Sequence, residues 1–225
     1  MTQKIPDGGT AVNLIMIGAP GAGKGTQAER VARERGVPKI STGDMLREAI
    51  HQGTELGLRA KTIVERGDLV SDDVMIGVVR ERLERADARR GFVLDGFPRT
   101  VPQAQALDDM VAGRGPLLVV EVVVPEAELE RRMSARRICR NCGANAPPDG
   151  TACGRCGGEL VLRADDGEAA VRMRRLGVYE RQAGPIVEFY RHRPTFRSIN
   201  GAQSPDEVAR ALSAAIDSAM ERSSR

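Results

Sequence analysis

The sequence of 225 residues predicts an α/β fold, a five-stranded parallel sheet flanked by helices. Five short apolar runs have the character of buried strands, and segments with helical periodicity lie between them. The first run leads into a glycine-rich loop of the kind that binds phosphate at a helix N-terminus. No run of about 18 apolar residues indicates a membrane-spanning helix. A net charge of +3 is too small to indicate nucleic-acid binding by itself.

The first strand, over residues 12–17, runs into the loop Gly18-Ala19-Pro20-Gly21-Ala22-Gly23-Lys24-Gly25-Thr26, and a helix follows to Arg35. The glycines let backbone N–H groups approach a polyphosphate, and Lys24 adds a positive charge toward its outer phosphates. The strict signature has Ser or Thr directly after the lysine, whereas here Gly25 intervenes before Thr26. The loop therefore predicts a nucleoside triphosphate site.

Three helices are expected in succession after a short strand at residues 38–40. The first starts at Ser41-Thr42-Gly43-Asp44, whose residue types favour a helix N-terminus. The second covers residues 55–65 and ends at Gly67, and the third runs from Ser71 to Leu83. Because no strand interrupts residues 41–70, we expect a helical insertion there.

A compact apolar strand at residues 92–94 ends in Asp95-Gly96-Phe97-Pro98-Arg99. Polar residues at the carboxyl ends of parallel strands are where open α/β sheets bind ligands. The next strand covers residues 117–124, and a helix is expected over residues 126–137.

Periodicity is lost over residues 138–159, which predicts a second insertion. A long helix is then expected over residues 168–191 and a final strand over residues 196–199. The closing helix carries an apolar stripe of Val208, Leu212, Ile216 and Met220.

Four cysteines lie in the second insertion as two pairs, Cys139-x2-Cys142 and Cys153-x2-Cys156. Four thiolates held by two tight turns satisfy Zn²⁺ and leave no open coordination position, so a structural zinc site is predicted. The linker of ten residues is shorter than the roughly 15–20 of the usual ribbon pattern. Unbound or redox-active thiols are the alternative interpretation.

Residues 1–10 are expected to form a disordered leader, because Pro6 and Gly8-Gly9 interrupt any apolar run and no secretory signal is evident. A cytoplasmic protein is the default expectation, and structural disulfides are uncommon in that compartment.

Four motifs now stand in order: Gly18–Thr26, Ser41–Asp44, Asp95–Arg99 and Arg163-x-Asp165-Asp166. With them the chain resembles the adenylate kinases, in the long form with a zinc-binding lid, from Val12 onward. The resemblance implies a P-loop nucleoside monophosphate kinase fold and a reversible Mg²⁺-dependent reaction, ATP plus AMP giving two ADP. We expect a monomer without nucleic-acid or membrane partners.

The resemblance also implies three units. The P-loop CORE takes residues 11–40, 71–134 and 167–225, the AMP-binding insertion residues 41–70, and the zinc-ribbon-like LID residues 135–166.

Functional roles are implied where the motif residue is present. Those expected to bind ATP are Gly21, Ala22, Gly23, Lys24, Gly25, Thr26, Arg132 and Arg136. Those expected to bind AMP are Thr42, Arg47, Gly96, Arg99, Gln103, Arg163 and Arg175. The expected catalytic set is Lys24, Arg99, Arg136, Arg163 and Arg175, and Asp95 is expected to orient magnesium through water. Thr42 and Gln103 match adenine-reading positions.

The last catalytic arginine has two candidates. Counting back from Tyr179 and Pro185 gives Arg175, and counting forward from Asp165-Asp166 gives Arg174. We favour Arg175, because the helix is anchored to the core downstream.

Other arginines, Arg131, Arg137 and Arg172, are expected on solvated helix faces, and His51 and His192 at the surface.

Two other functions remain open at this point. A UMP/CMP kinase is disfavoured by Thr42, since that family typically has Ala there. A non-catalytic module that binds nucleic acid through its zinc ribbon is disfavoured, because the ribbon has only Arg140 and Arg155 as basic groups and no aromatic residue.

Overall fold

The computed structural model describes residues 12–66, 68–146, 150–163 and 166–223. The expected leader, the helix end at Gly67 and the motif residue Asp165 lie outside these ranges.

A five-stranded parallel sheet forms the centre of the molecule, as the sequence predicts. Its strands are β1 (Val12–Ile17), β2 (Lys39–Ser41), β3 (Gly91–Asp95), β4 (Leu117–Val123) and the later strand Phe196–Asn200. The order across the sheet is β2, β3, β1, β4 and then Phe196–Asn200, with every neighbouring pair parallel. The glycine-rich loop thus leaves the central strand of the sheet.

Helices cover both faces of this sheet. Those before β4 are α1 (Lys24–Arg35), α2 (Thr42–His51), α3 (Glu55–Glu65), α4 (Asp72–Glu84) and α5 (Val101–Val111). Those after it are α6 (Glu126–Ser134), α7 (Ala169–Arg191) and α8 (Pro205–Ser223). None of these described helices is both long enough and apolar enough to cross a bilayer.

The core lies in two apolar layers, because successive side chains of β1 point to opposite faces. Leu14 and Met16 face one layer, which includes the inner residues of α1 and α8. Ile15 and Ile17 face the other, which includes those of α4, α5 and α7. All six residues of β1 are buried, as expected for a central parallel strand.

An antiparallel pair of short strands lies within the second insertion, where the sequence indicates only irregular structure. These strands are β5 (Arg137–Cys139) and β6 (Leu160–Leu162), and Ile138 is paired with Val161. The helix expected over residues 126–137 ends at Ser134, since the chain turns there to enter β5. The final sheet strand is therefore β7 (Phe196–Asn200).

Two further elements differ from the sequence expectations. Helix α5 is not among the predicted elements, although Thr100 caps it by accepting a hydrogen bond from the Gln103 backbone N–H. A short 3₁₀ turn at Ala86–Ala88 is also absent from the predictions. Ser71 precedes α4 as expected, but its side chain makes no capping bond to the helix backbone.

Candidate active site

A cleft of about 960 Å³ opens at the carboxyl ends of β1 and β3. Its walls include the glycine-rich loop, the end of α6, the middle of α7 and the loop that precedes α8. A smaller cavity of about 70 Å³ is lined by residues of α2, α4 and the start of α5. Both cavities are lined by Arg47, Arg99, Arg163 and Arg175.

The glycine-rich loop lies in the larger cleft with Lys24 as the first residue of α1. The Lys24 Nζ donates to the backbone oxygens of Gly18 and Ala19, at 2.7 and 2.9 Å. Gly21 has a φ of +86°, and a Cβ there would lie 2.9 Å from the Leu129 carbonyl oxygen. A side chain at this position would be strained and crowded, so the loop requires glycine here.

Electrostatics around Lys24 disfavour its positive charge in the nucleotide-free protein. Burial is the main cause that lowers the pKa of Lys24, to about 8. The Asp95 carboxylate opposes this effect, while Arg99, Arg136 and Arg175 lower the pKa further. A bound anion would favour the charged lysine, which is what a phosphate site requires.

Asp95 is the last residue of β3 and lines the larger cleft. One of its carboxylate oxygens lies 3.3 Å from where a Cβ of Gly25 would be. A hard oxygen ligand therefore stands beside the loop that holds Lys24, as a magnesium–phosphate group needs.

Asp166 joins two of the predicted catalytic arginines. Its side chain is 1% exposed, and it forms ion pairs with Arg136 and with Arg175. Burial is the main cause that lowers the pKa of Arg136 to about 10, and repulsion from Arg163 adds to it. Arg163 is 8% exposed, and its backbone N–H donates to the Arg136 carbonyl oxygen. The sequence prediction did not assign a role to Asp166.

Arg175, not Arg174, lies in the cleft. Arg175 lines both cavities, whereas the Arg174 Nε donates to Asp68 at 2.9 Å from a position that is 56% exposed. The side chains of neighbouring residues on a helix diverge by about 100°, so only one of the two can face the cleft.

Arg132 and Arg172 are held by other contacts. The Arg132 Nε donates to Glu128 at 2.6 Å, and its Nη1 donates to the Gly201 carbonyl oxygen at 3.0 Å. The expectation that Arg172 lies on a solvated face is wrong. Its Nη1 donates to the backbone oxygens of Asp166 and Gly167, so it anchors the turn before α7.

Arg131 is 71% exposed and pairs with Glu128. Arg137 is exposed, but it lies on β5 and not on a helix.

The smaller cavity is lined by the predicted adenine-reading residues Thr42 and Gln103. The Thr42 hydroxyl donates to the Gly96 carbonyl oxygen at 2.9 Å. A Cβ on Gly96 would lie 2.9 Å from the Thr42 Oγ1 and 3.0 Å from the Arg99 guanidinium, so glycine keeps these groups close. Arg47 pairs with Asp44 on α2.

The four cysteine sulfurs converge at the base of β5 and β6, all within 4.8 Å of one another. Adjacent sulfur pairs lie 3.4 to 3.6 Å apart. A tetrahedron with Zn–S bonds of about 2.3 Å has sulfur–sulfur edges of about 3.8 Å. The cluster therefore fits one structural zinc ion.

Comparison with known proteins agrees with this geometry. The model of the adenylate kinase family matches residues 16–195. The adenylate kinase of Archaeoglobus fulgidus is 47% identical over 214 residues, which are 92% of this chain and 98% of that protein. The adenylate kinase of Geobacillus sp. is 50% identical over 205 residues, with 88% and 94% covered. That of Methanocella arvoryzae is 46% identical over 213 residues, with 91% and 98% covered. The chain has a phosphate loop, four arginines that line both cavities, and matches to adenylate kinases over about nine tenths of its length. It therefore belongs to the adenylate kinase family.

Proposed function

We propose that this cleft binds ATP and AMP together and transfers the terminal phosphoryl group of ATP to AMP, which yields two ADP. The observation that carries the proposal is the division of the lining residues. The phosphate loop lines only the larger cleft, Thr42 and Gln103 line only the smaller cavity, and four arginines line both. Such an arrangement suits two nucleotides whose phosphates meet at the arginines.

On the ATP side, we assign the phosphates to the loop Gly21–Thr26. Backbone N–H groups at the start of α1 point at the phosphates, and the helix dipole favours negative charge there. Lys24 contacts the outer phosphates once a nucleotide replaces its two carbonyl partners. Arg132 and Arg136 approach from the end of α6, with Arg132 close to Gly201 in the wall where the base of ATP would lie.

On the AMP side, we assign the adenine to the pocket of Thr42, Gly96 and Gln103. Arg47 and Arg99 are assigned to the phosphate of AMP, because both residues line both cavities. The planar guanidinium of arginine binds two phosphate oxygens at once, which orients the acceptor.

In the transfer step, an oxygen of the AMP phosphate forms a bond to the γ-phosphorus of ATP. The bond from the γ-phosphorus to the oxygen that bridges it to the β-phosphorus breaks, and ADP leaves. No general base is needed, since the acceptor is already an anion. Lys24, Arg99, Arg136, Arg163 and Arg175 stabilise the charge on the transferred group and on the leaving ADP. In the nucleotide-free cleft Asp166 pairs with both Arg136 and Arg175 and offsets one of their two positive charges, and phosphates then compete for the same donors.

Magnesium bound with ATP supplies charge neutralisation on the phosphate oxygens. We assign its orientation to Asp95, through water, because this carboxylate adjoins the loop at Gly25. Zinc, in contrast, is assigned a structural role, since four thiolates leave no open coordination position.

We further propose that residues 135–166 act as a LID that closes over the loop, and residues 41–70 as an AMP-binding unit, on a CORE of 11–40, 71–134 and 167–225. Closure would exclude water and complete the arginine cage only when both nucleotides are bound. We also propose a cytoplasmic monomer; four cysteines arranged for a metal suit a reducing compartment.

A coupled assay with ATP and each of AMP, UMP, CMP and GMP tests the proposed function. We expect AMP to be the preferred acceptor and two ADP to form for each ATP consumed. Lys24→Met and Arg99→Ala should each reduce turnover by about 100-fold or more with the fold intact by circular dichroism. Preference for a pyrimidine nucleotide, or unchanged turnover in both variants, would refute the proposal.

A further inference from the structure

Asp72, the first residue of α4, contacts the side chain of Gln103 at the wall of the smaller cavity. We propose that Asp72 is a positioning residue that fixes the orientation of the Gln103 carboxamide, and through it the preference for a 6-aminopurine nucleotide. The inference rests on the proposed function, since it takes the smaller cavity to hold the acceptor base.

The carboxamide of Gln103 is bonded at both ends. Its Nε2 donates to the Asp72 Oδ1 at 2.8 Å, and its Oε1 accepts from the Arg99 backbone N–H at 2.8 Å. The other Asp72 oxygen accepts from the Thr100 hydroxyl at 2.7 Å, which holds the carboxylate in place. Gln103 is only 2% exposed, so these bonds form away from bulk water.

The chemistry of the two partners allows only one orientation of this amide. A carboxylate can only accept and a backbone N–H can only donate. Turning the Gln103 carboxamide by half a turn would place its oxygen against Asp72 and its NH₂ group against the Arg99 N–H. Both bonds would be lost in a buried place, where unsatisfied polar groups are costly.

The fixed orientation leaves a defined pattern for a ligand in the cavity. Nε2 has a second N–H and Oε1 has a second lone pair beyond the two contacts named above. Adenine has an amino group at C6, which can donate to Oε1, and an acceptor at N1, which can accept from Nε2. Hypoxanthine has a carbonyl at C6, which accepts, and an N–H at N1, which donates. It would therefore need Nε2 near C6 and Oε1 near N1, which is the turned orientation of the amide.

The test compares AMP with IMP, which differ only at the C6 group and the adjacent N1. The variant is Asp72→Asn, because an amide of the same shape can either donate to Gln103 or accept from it. The matched control is Asp73→Asn, which removes the same charge from the same helix end at an exposed position. We expect the ratio of kcat/KM for AMP over IMP to fall about tenfold in Asp72→Asn and to stay unchanged in Asp73→Asn.

An equal fall for both nucleotides in Asp72→Asn, with the ratio unchanged, would show a merely structural role and overturn the inference alone. If the wild type converts neither nucleotide, the proposed function fails and the inference fails with it. Should Asp72→Asn not fold by circular dichroism, Asp72→Ser replaces it. Serine is one bond shorter and removes the carboxylate that accepts from Gln103 Nε2, so a fall in the ratio is again expected.

Discussion

Lys24 lies at the phosphate loop, and burial lowers its pKa from 10.5 to about 8. Below pH 8 the lysine is charged in the folded and the unfolded protein, and above pH 10.5 it is neutral in both. Between these values the unfolded chain binds more protons, so the contribution of this group to stability rises with pH. The nucleotide-free protein therefore carries a destabilising charge near neutral pH.

We expect Lys24→Met to raise the free energy of unfolding of the nucleotide-free protein at pH 7. The difference from wild type should shrink between pH 8 and pH 10.5, as the wild-type lysine loses its proton. Urea denaturation of both proteins at pH 7, 9 and 10.5 measures this difference in the free energy of unfolding. Parallel pH profiles for the two proteins would contradict the lowered pKa.

Arg174 and Arg175 form a natural pair of variants, since they are adjacent and differ in what they face. Arg175→Met should reduce kcat by about 100-fold or more, if Arg175 is the donor to the transferred phosphoryl group that we propose. Arg174→Met removes an exposed ion pair with Asp68, and its effect should stay below about fivefold. Steady-state kinetics with ATP and AMP give both values, and the reverse order of effects would move the catalytic role to Arg174.

At the scale of elements, the contact between α2 and α3 depends on Gly57. A Cβ at Gly57 would lie 2.0 Å from the Ala49 carbonyl oxygen, so the backbones of the two helices meet there. At the helical residue Gly77 in α4, such a Cβ would meet no heavy atom within 4 Å apart from its chain neighbours and the adjoining helix backbone.

We expect Gly57→Ala to lower the free energy of unfolding by about 1–3 kcal/mol, because the two helices must move apart. Gly77→Ala should raise it by about 0.5–1 kcal/mol, through the higher helix propensity of alanine. Chemical denaturation compares the two. Stabilisation by Gly57→Ala would show that α2 and α3 do not pack this closely.

The β5–β6 pair and its cysteines are too small to form an apolar core, so zinc should provide much of their stability. Removal of zinc by a chelator should lower Tm by about 5 °C or more, equivalent to ~2 kcal/mol. Activity at low temperature should fall less, because the phosphate loop and α7 lie outside the zinc-bearing segment and Arg136 is held by Asp166 and not by the cysteines. Cys156→Ser should behave like the chelated protein, and a lack of zinc by elemental analysis in protein prepared without chelators would exclude the site.

For the whole molecule, local sequence patterns predicted the features whose residues lie close together in the chain. The loop Gly18–Thr26 and the paired cysteines are recognisable because spacing alone fixes their geometry. Helix α5 also had a signal that the prediction overlooked, the cap at Thr100 followed by Pro102 and the apolar residues Ala104, Leu107 and Val111.

Contacts between distant segments could not be predicted in the same way. Asp166 between Arg136 and Arg175, and Asp72 against Gln103, join residues that only the folded chain brings together. The expectation for Arg172 failed for a different reason, since its partners lie only five and six residues before it in the chain. Its partners are backbone oxygens of a turn, and a sequence pattern does not show where a turn directs its carbonyl groups.

The proposed function takes the two cavities, with the four arginines that line both, to be a single site for two nucleotides. Calorimetric titration with two adenosines joined by a pentaphosphate chain tests this most directly, since such a molecule must occupy both cavities at once. We expect one molecule to bind per chain, ATP and AMP each to displace it, and Arg99→Ala to weaken it. Binding of two molecules per chain, or displacement by ATP but not by AMP, would contradict a two-nucleotide site.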